Sequence, residues 1–320
     1  MYPQEYFSHP RIASFCHRTR IWRECDSLAA LSLRLSQLLS PAERLKFEKE
    51  CDVFKKIALP SLLDIYDPRY PPLLREIYDP PLVLSYLGNV SVLKNHLIAI
   101  VGTRKASQIS MLATKMLVLQ LKEQIPDLGI VSGLALGIDR RSFEVAMSHE
   151  VPVLGILGTS ISEEYPPGNR DLYKQMKSSA ASLLLSEFIF PTEPARWTFP
   201  KRNRLISGLV SDVYIMESGK KSGTLSTAMS ALSQNREIHV FDHDLQFDNE
   251  GGKHLLGDGA EKLDWEFLAE GKGIIETPNF FGDKKLSTIA WKTMADKERE
   301  YKRQKNITPL GRGAYFVEFI

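Results

Sequence analysis

Short apolar runs rich in β-branched residues recur along the middle of the chain, between about residues 62 and 268. A glycine-containing turn follows each run, and a segment with apolar positions at helical spacing follows most turns. Buried strands that alternate with helices in this way are typical of an α/β fold with a doubly wound, mostly parallel sheet. The predicted strands are 97–101, 129–131, 151–157, 183–185, 213–216 and 238–241, and the predicted helices include 111–124, 142–149, 170–177 and 225–235.

The two ends of the chain lack this alternation. Residues 27–39 have the apolar spacing of a helix, and Ser40, Pro41 and Glu43 form a capping-box pattern that predicts a second helix reaching Ile57. Near the other end, 295–305 has the charge pattern of a solvated helix, and 311–320 predicts a turn and a short strand. We therefore expect a helical N-terminal region (1–60), a Rossmann-like domain (61–270) and a C-terminal tail or reduced module (271–320).

Composition narrows the class of protein without identifying its ligand. Hydrophobic residues make up 43% and charged residues 25% of the chain, as in ordinary globular proteins, and the net charge is only +2. Any binding of nucleic acid must therefore depend on local clusters of Lys and Arg. The three cysteines form no paired zinc pattern, and no apolar stretch is long enough for a signal peptide or a membrane span. We expect a cytoplasmic protein that does not contact membranes.

Glycine clusters follow four of the predicted strands. In doubly wound sheets, ligands bind beyond the carboxyl ends of the strands, and those ends meet at one edge. Here they carry the segments VGTRKAS, VSGLALGID, GILGTS and IMESGKKSGT. The sequence therefore predicts a ligand site at this edge.

The first cluster has the residues that a phosphate site needs. Gly102 lets backbone N–H groups approach a ligand, Thr103 and Ser107 add hydroxyl groups, and the guanidinium of Arg104 can donate two parallel hydrogen bonds to one phosphate. The alternative is an ordinary strand-to-helix turn without a ligand.

The last cluster, Ser222, Gly223 and Thr224, opens a predicted helix and can form an anion nest from backbone N–H groups. The preceding Lys220 and Lys221 stand in the wrong order for a P-loop, so an ATPase is not supported.

The second cluster combines a tight turn with an acid. Gly133 and Gly137 allow a tight turn and a close contact between helix and strand, and Ser132 and Gly133 are candidate phosphate-binding residues at this strand end. Asp139 would repel a phosphate, so we expect it to have a structural role or to pair with a nearby arginine.

A basic segment lies outside the glycine clusters. Trp197 and Phe199 flank it with stacking surface, and its members Lys201, Arg202, Asn203 and Arg204 can contact phosphates. Basic side chains beside aromatic rings are typical of proteins that bind single-stranded nucleic acid. The alternative is a solvated, charged face.

Patterns typical of enzymes are absent from the sequence. No G-x-G-x-x-G dinucleotide fingerprint and no G-x-S-x-G nucleophile motif occur. His239 and His243 are four residues apart in a strand-like run, too far for one metal ion. We expect no catalytic residue, no cofactor and no metal site.

Together, the motifs resemble the DNA-processing protein A family (DprA, also called Smf). The resemblance extends over about residues 70–263, through eight segments in the family's order: YPPLLREIYDPPLVLSYLGN, IVGTRKAS, SGLALGID, LGTSISEEYPPGNRDL, LSEF, FPKRNRLISGL, ESGKKSGTLSTAMSALSQNREIHVF and GGKHLLGDGAEKL. It implies an extended Rossmann domain that binds single-stranded DNA, protects incoming DNA, forms a homodimer and helps load the RecA recombinase in natural transformation. It implies no enzymatic activity.

The resemblance also assigns residues to the DNA site. The family's G-[ST]-R pocket falls on Gly102, Thr103 and Arg104; its F-P-x-R-N-R segment falls on Phe199, Pro200, Arg202, Asn203 and Arg204; and its S-G-[ST] helix start falls on Ser222, Gly223 and Thr224. Two departures stand out. Asp242, His243 and Asp244 replace a Pro-Gly-Ser turn, adding negative charge near the expected groove, and the tail lacks a winged-helix pattern.

A second interpretation stays open from the sequence. Phosphoribohydrolases share this Rossmann variant and resemble one another in a P-G-G-x-G-T motif with a downstream glutamate. At the matching place this chain has KKSGT (220–224) without the double glycine. A nucleotide-processing enzyme is thus the alternative to a DNA-binding mediator.

Overall fold

The computed structural model describes residues 2–52, 59–189, 192–265 and 268, together with three short strands between 275 and 317. The N-terminal part is helical, with α1 (Pro10–Thr19), α2 (Leu28–Leu38) and α3 (Pro41–Cys51). The predicted capping box begins α3: Ser40 Oγ accepts from the Glu43 N–H, and the Glu43 carboxylate accepts from the Ser40 N–H. The predicted extension of this helix to Ile57 falls outside the described residues.

The central part forms a nine-stranded sheet covered by helices. Its strands are β1 (Ser61–Asp64), β2 (Val83–Gly88), β3 (His96–Val101), β4 (Leu128–Ser132), β5 (Val153–Ile156), β6 (Ser182–Ser186), β7 (Asp212–Ile215), β8 (Glu237–Phe241) and β9 (Glu261–Leu263). The helices are α4 (Pro72–Glu76), α5 (Gln108–Gln124), α6 (Ile138–Ser148), α7 (Arg170–Ser178), α8 (Thr198–Gly208), α9 (Thr224–Ser233) and α10 (Glu250–Gly257).

The strands lie in the order β1-β2-β6-β5-β4-β3-β7-β8-β9. Pairing is parallel from β6 through to β9, whereas β1 and β2 pair antiparallel at one edge. The chain order reverses between β3 and β7, and in sheets of this kind such a switch point opens a crevice at the carboxyl ends of the strands. The predicted α/β fold with a doubly wound, mostly parallel sheet is confirmed.

The apolar runs are buried because both faces of the sheet are covered. On one face α5, α6 and α7 contribute Leu117, Phe143 and Leu172 to the core. On the other, α8 and α9 pack together with the N-terminal region, whose Phe7 and Leu35 belong to the same core cluster. Burial of both faces explains why the strands read as continuous apolar runs. The region boundaries near residues 60 and 270 stay predictions.

The tail contains three short strands: β10 (Ile275–Glu276), β11 (Ile307–Gly311) and β12 (Ala314–Val317). They form an antiparallel sheet in the order β10-β12-β11. The predicted strand near the end of the chain is therefore present, whereas the helix predicted over 295–305 falls outside the described residues. Among the helices that the structure describes, none is both long and apolar enough to cross a membrane.

Candidate phosphate-binding cavity

A cavity of about 530 Å³ opens at the switch point, beyond the carboxyl ends of β3 and β7. Three segments that the sequence analysis singled out form its walls: the loop after β3, the first half of α8, and the loop that leads into α9. Eight of the predicted site residues line it, namely Gly102, Thr103, Arg104, Arg202, Asn203, Ser222, Gly223 and Thr224. The remaining five, Ser107, Ser132, Gly133, Lys201 and Arg204, lie outside its lining.

The mouth of the cavity carries exposed positive charge. Arg104, Lys105 and Lys221 line the cavity and are exposed. Within the described part of the chain, no carboxylate is ion-paired with any of the three. The guanidinium of Arg104 lies over the ring of Phe199, 5.7 Å from its centroid. These cations are thus available to an anionic ligand.

Lys105 and Lys221 lie within two of the predicted motifs but were not among the predicted site residues. Both could have been found, because each directly adjoins a predicted site residue, Arg104 or Ser222.

Arg202 has a different environment, although it also reaches the cavity. It is only 5% exposed, and its Nη1 donates to the carbonyl oxygens of Gly133 and Ile156, each at 2.5 Å. Burial lowers the pKa of this guanidinium, and the nearby charge of Asp139 opposes that shift. The side chain therefore joins α8 to the ends of β4 and β5.

The helical period explains why this arginine is buried. The segment forms α8, which places Arg202 on the same face as Leu205 and Ile206, three and four residues further on. The alternative of a solvated, charged face therefore does not fit Arg202, and its predicted contact with phosphate stays a prediction.

The neighbours of Arg202 are also engaged within the protein. Asn203 accepts from Arg202 Nε and donates to the carbonyl oxygen of Gly223, which ties α8 to the start of α9. Arg204 pairs with Glu187 at 2.6 Å, and the ammonium of Lys201 lies 3.4 Å from the same carboxylate.

Asp139 is buried against the turn after β4. Its carboxylate accepts from the backbone N–H groups of Gly133 and Ala135. Burial raises its pKa, and the charge of Arg202 opposes the shift. The predicted structural role near an arginine is consistent with this geometry, and the arginine concerned is Arg202.

Two predicted site residues have roles in the fold. Ser107 caps α5 and donates its Oγ to the buried carboxylate of Glu217, at 2.7 Å. Ser132 Oγ donates to the carbonyl oxygen of Ile100, at 2.6 Å, between neighbouring strands. Both hydroxyl groups are therefore occupied beneath the cavity.

Two glycines bring the loop after β3 against α6. A Cβ on Gly102 would lie 2.6 Å from a side-chain carbon of Ile138. Gly137 has φ +77° and ψ −124°, and a Cβ there would collide with the carbonyl oxygens of Thr103 and Arg104. The backbone that presents Arg104 is thus held by contacts that only glycine allows.

We expect Gly137→Ala to lower the free energy of unfolding by about 1–3 kcal/mol, the cost of forcing a side chain into a sparsely populated conformation. Gly223→Ala is the matched control, because its φ of −61° suits alanine and no atom lies within 4 Å of the added Cβ. Chemical denaturation of both variants measures the difference. Equal stability of the two variants would contradict the close approach at Gly137.

The start of α9 faces the cavity through Ser222, Gly223 and Thr224. Gly223 is exposed, and Ser222 Oγ accepts from the Thr224 N–H at 3.2 Å. A helix N-terminus favours anions because its first N–H groups have no partner within the helix.

Acidic groups limit the cavity on the side of the loop after β8. Asp248 lines the cavity close to Gly219, and Asp242 accepts from Asn249 Nδ2 at 3.0 Å. The acid at the cavity is therefore Asp248, whereas Asp242 and Asp244 of the departure at 242–244 lie outside its lining. No group of three or more metal-ligating side chains comes together within the described residues.

Comparisons with known proteins agree on one family. Residues 61–269 match the family described as DNA recombination-mediator protein A. Protein Smf of Synechocystis is 36% identical over 212 residues, which are 64% of this chain and 52% of that protein, so the match spans about half of its length.

Two solved structures are similar as well. DNA processing protein A from Streptococcus pneumoniae has a TM-score of 0.60 and 30% identity, over 77% of this chain and 82% of that chain. DNA processing protein A from Helicobacter pylori, described by its single-stranded DNA binding mode, has a TM-score of 0.56 and 28% identity, over 63% of this chain and 89% of that chain.

Proposed function

Because this chain belongs to the DNA recombination-mediator protein A family, we propose that it binds single-stranded DNA in the phosphate-binding cavity, as a recombination mediator and not as an enzyme. One observation carries the proposal: three exposed cations without ion-pair partners among the described residues, Arg104, Lys105 and Lys221, surround one cavity at the switch point of the sheet. The relative from Helicobacter pylori, described by its single-stranded DNA binding mode, supports it.

The proposed contacts fall into two groups. Arg104, Lys105 and Lys221 hold phosphates directly, and the N–H of Gly223 adds an anion contact at the start of α9. Gly102 and Thr103 shape the loop that presents Arg104. The other predicted residues support the walls: Ser107, Ser132, Gly133, Lys201, Arg202, Asn203, Arg204 and Ser222.

Unpaired strands suit the surroundings of the cavity better than duplex DNA. Trp197, at the start of α8, is 59% exposed, and unpaired bases can stack on such a ring. Phe199 is less available, because Arg104 lies over its ring and Tyr165 packs against it with ring centroids 5.5 Å apart.

Two of the three acids that line the cavity, Glu217 and Asp139, argue against the alternative, a phosphoribohydrolase. The Glu217 carboxylate is buried and accepts hydrogen bonds from Ser107, Phe247 and Asp248. Asp139 is buried and accepts from two backbone N–H groups. A general acid or base must be free to exchange a proton with its substrate. Both carboxylates are instead committed to holding loops.

One experiment separates the two functions. A mobility shift with a labelled oligonucleotide is run beside a hydrolysis assay with nucleoside monophosphates. The proposal requires a shifted complex and no release of base. Release of base without a shifted complex would favour the enzyme.

We expect affinity for single-stranded DNA to fall with salt. If the three cations neutralise about three phosphates, log K should fall against log[salt] with a slope of about −2, at about 0.7 per contact on a single strand. Fluorescence anisotropy across a salt series measures the slope. A flat response would contradict phosphate binding by these cations, and a much steeper one would require further contacts.

The proposal extends to two protein partners. Family membership supports a homodimer, and the exposed α9 side chains Met229 and Leu232 are consistent with a protein interface. Light scattering on the purified chain tests the dimer.

Loading of RecA is tested by the rate of RecA filament formation on single-stranded DNA. The protein should accelerate this rate, and the Arg104→Ala variant should not.

A further inference from the structure

An aromatic side chain stands exposed beside the phosphate-binding cavity. Phe247 is 70% exposed and follows β8 in the loop that replaces the family's Pro-Gly-Ser turn. It lines a second cavity of about 450 Å³. The next residue, Asp248, lines both cavities, so the two cavities adjoin at this loop.

The loop that carries Phe247 is held firmly from below. The N–H groups of Phe247 and Asp248 donate to one oxygen of the buried Glu217 carboxylate, while its other oxygen accepts from Ser107 in the loop after β3. Gln246, also buried, donates to the carbonyl oxygen of Met216 at 2.7 Å. The backbone that carries the ring is therefore fixed to the loop after β3, which lowers the entropy lost when a ligand binds there.

The charges of the second cavity select a neutral group over a phosphate. Among the described residues, its lining includes the carboxylates of Asp244, Asp248 and Glu250 and the ammonium of Lys253, so acids outnumber cations there. A phosphate would be repelled there, whereas a nucleobase is uncharged and has a flat face for an aromatic ring. Cations in one cavity and an aromatic ring with acids in the next thus match the alternation of phosphate and base along a strand.

We infer that Phe247 is a stacking platform for one unpaired base, whose neighbouring phosphate lies in the phosphate-binding cavity. This inference rests on the proposed binding of single-stranded DNA and adds a base contact to it. Stacking on the ring requires a base that is not paired in a duplex, so the platform also favours single strands over double strands.

Two probes test the platform: a labelled oligothymidylate and an abasic strand of the same length, which keeps the phosphates but lacks every base. Phe247→Ala should weaken binding of oligothymidylate about fivefold to a hundredfold, the range for one base stacked on an aromatic ring. Phe247→Trp should retain binding. On the abasic strand, Phe247→Ala and the wild type should bind equally. Leu33→Ala, which shortens a 59% exposed side chain on α2, is the control and should match the wild type on both strands.

Each outcome decides between the explanations. Unchanged affinity of Phe247→Ala for oligothymidylate overturns the platform and leaves the proposed function standing. An equal loss on both strands also overturns it, because the ring would then act through the loop and not through a base. A wild type that binds neither strand overturns the proposed function, and the platform with it.

Discussion

Arg202→Ala is expected to lower the free energy of unfolding by about 3–5 kcal/mol, the usual cost of removing one partner from a buried charged pair. Its guanidinium is 5% exposed and donates to the carbonyl oxygens of Gly133 and Ile156. The variant leaves both oxygens unsatisfied and leaves Asp139 buried without a compensating positive charge. Urea denaturation followed by circular dichroism measures the loss.

Two further variants identify the cause of that loss. Lys201→Ala removes the adjacent charge, which is 39% exposed, and should cost less than about 1 kcal/mol because solvent screens its pair with Glu187. Adding Asp139→Asn to Arg202→Ala should recover part of the stability, because the uncompensated carboxylate is then neutral. If Arg202→Ala were as stable as the wild type and failed only to bind DNA, the guanidinium would be a phosphate ligand and the structural role would be wrong.

The sequence predicted the central fold well because its signals are local. Strands buried on both faces read as apolar runs, and the helices between them keep their own period, so six strands and four helices of the central part were predicted close to their observed bounds. The capping box at Ser40 is likewise local, since both of its hydrogen bonds join residues three apart. Three strands were missed: β1 and β2, which belong to no strand–helix–strand unit, and β9, which is only three residues long.

The site was only partly predictable, because the roles of its arginines depend on contacts between distant segments. Arg202 and Arg204 look alike in the sequence and both resemble phosphate ligands. Folding puts the first against Gly133, 69 residues away, and the second against Glu187. Arg104 received the same prediction, yet it remains exposed at the cavity. Residue type and local pattern could not separate these outcomes.

The Phe247 loop shows a similar limit. The sequence marked 242–244 as a departure that adds negative charge, but it did not single out the phenylalanine that follows. The ring becomes notable only because Glu217, thirty residues earlier in the chain, holds the loop beside the cavity. A local pattern can show that a segment is unusual, whereas its relation to a site requires the fold.

Arg104 is exposed whereas Arg202 is buried, so we expect the loss of Arg104 to affect DNA binding and not stability. Arg104→Ala should weaken binding of single-stranded DNA about tenfold to a hundredfold, since a charge-assisted hydrogen bond contributes about 1.5–3 kcal/mol. Its guanidinium is exposed and has no carboxylate partner among the described residues, so we expect the melting temperature to stay close to that of the wild type. Anisotropy titration and a thermal melt on the same preparation measure both quantities.

Arg104→Lys separates directed hydrogen bonding from charge alone. An arginine fork donates two parallel bonds to one phosphate, whereas lysine presents a strongly hydrated point charge, so the lysine variant should recover only part of the affinity. Full recovery would show that positive charge suffices at this position. A lower melting temperature of Arg104→Ala, with unaltered affinity of the folded protein, would mean that Arg104 supports the fold as Arg202 does. The phosphate would then have to be held by Lys105, Lys221 and the start of α9 alone.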